Sequence, residues 1–129
     1  NVCVDYLTGR HASVVHKIRT APPDELCISA VVAAELRYGA DRSGRRARNH
    51  ASLDTFLSEL RCVGFDAEAA RSFGRGRRKL EDTGEPIGPY DMMIAAHALC
   101  LGVVLVTDNT REFRRVKDLK LENWRVAAV

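Results

Sequence analysis

Three acidic residues stand where carboxylate chemistry is possible. Glu35 lies in the run Val31 to Leu36, which holds no other charge. Asp91 follows the breaker cluster Gly84, Pro86, Gly88 and Pro89 and opens a long apolar stretch. Asp108 belongs to Thr107-Asp108-Asn109, directly behind the apolar run Val103 to Val106. A Glu in so apolar a stretch belongs near the edge of a core and requires a partner. Asp91 and Asp108 also have simpler uses, as a helix N-cap and a turn residue. Where such acids meet, two carboxylates about 4–5 Å apart repel by roughly 3–4 kcal/mol at an effective dielectric near 20. Protonating one acid or binding a hard cation removes that cost. Oxygen donors without histidine favour Mg²⁺ or Mn²⁺ over zinc.

Other chemistries find less support. The cysteines at positions 3, 27, 62 and 100 form no C-x-x-C pair, and each sits in an apolar run. They read as small buried hydrophobes of a reducing cytosol, not zinc ligands. Gly74-Arg75-Gly76 is mid-helix and does not follow a strand, so no phosphate-binding loop is formed. No G-x-S-x-G elbow occurs. His97 reads as a core histidine, and His11, His16 and His50 lack ligand spacing. A phosphotransfer receiver would need an adjacent acid pair at a strand end, and none is found. No run approaches the roughly 20 apolar residues of a membrane-spanning helix.

These acids need a frame. Val14, Val15 and Ile18 fit one face of a helix over Ala12 to Thr20. Leu26-Cys27-Ile28 reads as a short buried strand, with Ser29 capping a helix that Gly39 stops after Tyr38. A basic loop from Arg42 to Arg48 follows. Leu53, Phe56, Leu57 and Leu60 then give a clear helical spacing. Cys62 to Phe65 reads as a second strand. Asp66 caps a helix with Ala69, Ala70, Phe73 and Leu80 on one side. Asp91 opens a helix over Met92 to Leu101, stopped by Gly102. Val103 to Val106 is a third strand, a short helix lies near Arg111 to Arg115, and a last strand is expected around Trp124 to Val129. Unbroken apolar strands alternating with helices predict an α/β fold, a parallel sheet with helices on both faces. The site of such a sheet lies beyond the carboxyl ends of its strands. Glu35, Asp91 and Asp108 all come from elements that can converge there.

The 129 residues form one domain, 1–129, with a net charge of +3. Of the 20 basic residues 16 are Arg, whose planar fork pairs with phosphate.

Three motifs resemble the PIN-domain ribonucleases, and within them the toxins of VapBC toxin–antitoxin systems. They are Ile28-Ser29-Ala30 with Ala34-Glu35-Leu36-Arg37-Tyr38-Gly39, the segment Pro86 to Ala98 around Asp91, and Leu105 to Phe113 around Asp108. The resemblance spans the chain. It implies a Mg²⁺- or Mn²⁺-dependent endoribonuclease that hydrolyses RNA phosphodiesters, tRNA among the candidate substrates. It further implies inhibition by a cognate VapB-type antitoxin, a homodimer, a cytoplasmic location and no membrane partner. Exposed Val15 and Ile18 would be covered by antitoxin or a second copy.

By the same resemblance Glu35, Asp91 and Asp108 are catalytic and bind metal, with Asn109 competing with Asp108 for the cation. Asn1, Ser29 and Thr107 support the site. The arginines of the loop 42–48, Arg45 and Arg46 among them, and Arg71, Arg75, Arg77 and Arg78 would hold the RNA backbone. Family members start with a strand ending in Asp-Thr-Asn. Asn1 matches that Asn, and Asp5, a turn into the next helix, is not the missing Asp. The expectation is an N-terminally incomplete domain with an empty strand-wide gap in mid-sheet pointing at Glu35 and Asp91. The alternative is an inactive or DNA-directed PIN-like module that binds nucleic acid or a protein partner.

Overall fold

The computed structural model describes Cys3 and residues 7–125. Asn1, Asp5 and the final four residues lie outside them. Helix α1 (Ala12–Thr20) leads through a short 3₁₀ turn to β1 (Cys27–Ser29), followed by α2 (Ala30–Arg42) and α3 (Arg46–Ser58). Strand β2 (Arg61–Val63) precedes the helical hairpin α4 (Ala67–Asp82) and α5 (Pro89–Leu101). Strand β3 (Leu105–Val106), α6 (Thr110–Phe113) and β4 (Leu121–Glu122) complete the order.

The four strands among the described residues form two parallel pairs. In one, Cys27, Ile28 and Ser29 of β1 stand opposite Arg61, Cys62 and Val63 of β2. In the other, Leu105 and Val106 of β3 stand opposite Leu121 and Glu122 of β4. A cleft of about 560 Å³ has Cys27, Ile28 and Ser29 on one wall and Leu105, Val106 and Glu122 on another, with Ile94 and His97 of α5 also lining it. Neither Glu35 nor Asp91 lines it.

Two apolar cores flank the pairs. Ile28 packs with Leu36, Ala40, Leu53 and Phe56 from α2 and α3. Leu80, Met92, Ala95, Ala96, Phe113 and Val116 form the other, against Leu105 and Leu121. Helices α4 and α5 run antiparallel: Phe65, just before α4, meets His97 edge-on, while Gly76 abuts Met92. Asp66 caps α4 as expected, its carboxylate accepting from the Ala69 N–H at 3.0 Å.

Several boundaries differ from the sequence expectation. Gly39 does not end α2, because Leu36 and Ala40 on either side of it are buried and hold the helix to Arg42. The basic loop shrinks accordingly, since Arg42 and Arg46 to Arg48 are helical. Val103 and Val104 are not in β3. Gly102 closes α5 in the left-handed conformation, and the Val103 N–H bonds back to Ala98 O at 3.1 Å, which holds the backbone out of the ladder. The last strand is β4, earlier than expected, and Trp124 and Arg125 lie in a turn. Ala70, Cys62 and Cys100 are exposed rather than buried, Cys62 on the short strand β2 and Cys100 near the end of α5. Val15 and Ile18 are half-buried within the chain.

The two glycines of α4 differ in surroundings. A methyl group at Gly74 meets nothing within 4 Å, whereas one at Gly76 would come to 2.6 Å from Met92 Cε. Replacing a helical glycine by alanine is worth about 1 kcal/mol where space is open. Gly74→Ala should therefore raise stability in urea unfolding by about that amount, and Gly76→Ala should give a smaller gain or a loss. Equal gains would show that the α4–α5 contact is looser than described.

Candidate functional site

The site is built where α2 and α5 come together. Helix α2 begins at Ser29, whose hydroxyl accepts from the Val31 N–H at 3.1 Å. Glu35 follows in the second turn, exposed, at the rim of a groove of about 450 Å³ that it shares with Leu36, Gly39 and Leu53.

Asp91 is not the N-cap of α5. The helix starts two residues earlier, with Gly88 as cap and Pro89 in its first turn. Proline suits that place because its missing N–H would have no helical partner. Asp91 is thus a first-turn residue whose carboxyl is not used as the cap.

The third participant is Glu112 on α6, which was not singled out as a site residue from the sequence. Asp91 is pushed above the usual carboxylate range. Burial is the largest cause, followed by a carboxyl–carboxyl hydrogen bond with Glu112 and by the negative charges of Glu112 and Glu35. Acids from two other helices therefore both act on Asp91. Asn109 completes the group: its side-chain amide donates to Glu112 Oε2 at 3.0 Å. Thr107, buried, orients the turn, its hydroxyl accepting from the Asn109 N–H at 3.1 Å. The available signal for Glu112 was the spacing Asn109 to Glu112, i to i+3, on a helix of four residues.

Asp108 points differently. Its carboxylate forms an ion pair with Arg125 at 2.7 Å, both side chains about 30% exposed. Of the two neighbours, Asn109 is the one turned toward the acids. The arginines are distributed. Arg45 is the N-cap of α3, and Arg46 faces the Asp41 backbone oxygen at 3.2 Å. On α4, Arg71 pairs with Glu68 at 2.9 Å, Arg77 lies 3.9 Å from Glu81, and Arg78 lies 3.7 Å from Asp82. Arg75 lies on the exposed part of the same helix.

Among the described residues, no three acid, histidine or cysteine side chains stand close enough together to enclose a metal. The donor chemistry nevertheless fits a hard cation, because Mg²⁺ retains several waters and needs only one or two carboxylates. At Asp91, beside Glu112 and Glu35, added positive charge relieves like-charge repulsion.

This geometry sits on a fold with known relatives. The family model described as the PIN domain matches residues 1–119. The chain belongs to the PIN domain family. Within it the chain is 40% identical over 124 residues to the tRNA(fMet)-specific endonuclease VapC of Shigella flexneri, covering 96% of this chain and 93% of the relative. It is 38% identical over 125 residues to ribonuclease VapC2 of Rickettsia felis, with 96% and 93% covered. Among solved structures, the DNA-bound VapBC of Salmonella typhimurium matches this PIN domain with a TM-score of 0.90 at 35% identity, over 96% of this chain and 95% of that one. VapBC2 of Rickettsia felis, bound to a promoter DNA fragment, matches at 0.89 and 36%, over 96% and 94%. The chain is thus a PIN domain of the VapC ribonuclease type.

Asp91 carries a sign that can be measured. An acid whose pKa is raised by folding binds more protons in the folded than in the unfolded state between the two pKa values. Its contribution to stability falls as pH rises through that window, and the penalty is complete above the folded value. In EDTA, Asp91→Asn should therefore melt at a higher temperature than wild type at pH 7, and the difference should shrink as pH falls through the carboxylate range. A constant difference, or a loss of stability at pH 7, would show that Asp91 is not under charge stress.

Proposed function

We propose that this domain is a metal-dependent endoribonuclease acting in the cytoplasm as the toxin of a VapBC-type pair. The observation that carries the reading is the crowding of Asp91 by Glu112 and Glu35 in a domain of the VapC ribonuclease type.

In this reading Asp91 and Glu112 would hold Mg²⁺ or Mn²⁺, with Glu35 adding negative charge nearby. The bound cation supplies Lewis acidity toward the scissile phosphate and lowers the pKa of a water. The remaining work belongs to the side chains. Asn109 holds Glu112 through its amide, and Thr107 fixes the turn that presents Asn109. Ser29 sets the start of the helix that carries Glu35. Asp108, whose Oδ2 pairs with Arg125, is proposed as a further acid of the site. Hydrolysis in line leaves a 5′-phosphate and a 3′-hydroxyl. Arg45, Arg46, Arg75 and Arg78 are the proposed contacts to the RNA backbone, their charge screened by the salt in the assay.

The partner proposed is a VapB-type antitoxin, since similar solved structures are VapBC complexes. Its seat is close to the groove bordered by Glu35, and the active assembly is a homodimer.

The test is cleavage of labelled RNA and DNA by the protein in Mg²⁺, Mn²⁺ or EDTA. RNA should be cut and DNA left intact, with no product in EDTA. Asp91→Asn and Glu112→Gln should each lower the rate at least about a hundredfold, the upper end of what is lost when a group that only orients a metal ligand is removed. Undiminished cleavage in EDTA, or by Asp91→Asn, would contradict the proposal.

A further inference from the structure

His97 is buried in the middle of α5, only 2% exposed, and no step above uses it. Its Nδ1 lies 2.8 Å from Ser29 Oγ, across 68 positions of sequence. The ring also meets Phe65 edge-on, with centroids 5.4 Å apart. The same Ser29 hydroxyl accepts the Val31 N–H that starts α2. One oxygen therefore ends β1, caps α2 and ties both to α5. The hydroxyl has one proton and two lone pairs, so it can serve both bonds at once.

The arithmetic of the two helices gives this tie a consequence. Glu35 comes six residues after Ser29, and Asp91 comes six residues before His97. At 1.5 Å per residue, each acid lies about 9 Å along its helix from the shared bond. Helices are stiff over that length, so the 2.8 Å contact between the start of α2 and the middle of α5 constrains how the two acid-bearing helices sit relative to one another.

We propose that His97 is a positioning residue: through its hydrogen bond to Ser29 it sets the separation of Glu35 and Asp91, and so the affinity of the acid group for a divalent cation. This rests on the metal-dependent reading above. A merely structural core histidine would contribute to stability and leave cation affinity unchanged.

The experiment is Mn²⁺ titration by calorimetry, with thermal melting in EDTA and cleavage kinetics on the same samples. His97→Phe keeps a ring against Phe65 and removes the nitrogen. His97→Asn returns a polar atom near the place of Nδ1. Ser29→Ala removes the bond from the other side and leaves the α5 core intact. His97→Phe and Ser29→Ala should each weaken Mn²⁺ binding by about tenfold, the low end for groups that orient metal-binding residues. The rate at saturating RNA should fall with KM unchanged, and His97→Asn should recover most of the affinity. If His97→Phe does not fold, Ser29→Ala decides. A lower melting temperature with unchanged Mn²⁺ affinity would overturn the proposal and leave the metal site standing. Absence of Mn²⁺ binding by the wild-type protein would overturn the metal-dependent reading itself, and the positioning role with it.

Discussion

Negative charge crowded around Asp91 is the constraint on which the rest of this molecule turns. A half-buried carboxyl, hydrogen-bonded to a second carboxyl and within the field of a third, is poorly placed for ionisation. Folding alone would discard such an arrangement, since it adds nothing to packing and opposes stability at neutral pH. Its persistence is understandable where the group receives a cation. The surrounding elements then acquire a common purpose. Gly88 takes over the capping position of α5 and leaves the Asp91 carboxyl available. Thr107 and Asn109 shape the turn that brings Glu112 in, and the Ser29 hydroxyl starts the helix that brings Glu35.

The scaffold meets this demand with little sheet and much helix. Four strands of two or three residues are enough to set where helices begin, because each pairing fixes register for the loop that follows. The two cores then hold the helices independently, one under α2 and α3, the other between α4, α5 and α6. The acids come from three different helices belonging to both cores. The bond between Ser29 and His97 joins the start of α2 to the middle of α5.

Much of this was legible in the residues. Helices with strong spacing and a capping residue, such as α4 behind Asp66, are encoded locally. Strand limits were not, because a run such as Val103 to Val106 is equally apolar whether its first half enters the ladder or closes the preceding helix. Gly39 misled for the opposite reason: its local preference to end a helix was outweighed by Leu36 and Ala40, whose burial is a tertiary fact. Glu35 and Asp91 were readable because charge stands out in apolar surroundings. Glu112 was not, since it lies among charged neighbours on a helix of four residues, and only the fold brings it to Asp91. Asp108 attracted attention by sequence position, yet Arg125, 17 residues away, engages its carboxylate.

The central claim is that Asp91, crowded by Glu112 and Glu35, is where the cation acts. Carboxyl ¹³C NMR of selectively labelled Asp91 tests it directly, by pH titration with and without Mg²⁺. The account predicts a titration above the ordinary aspartate range in EDTA and a marked fall when Mg²⁺ is added. An ordinary midpoint in EDTA that Mg²⁺ leaves unmoved would contradict it.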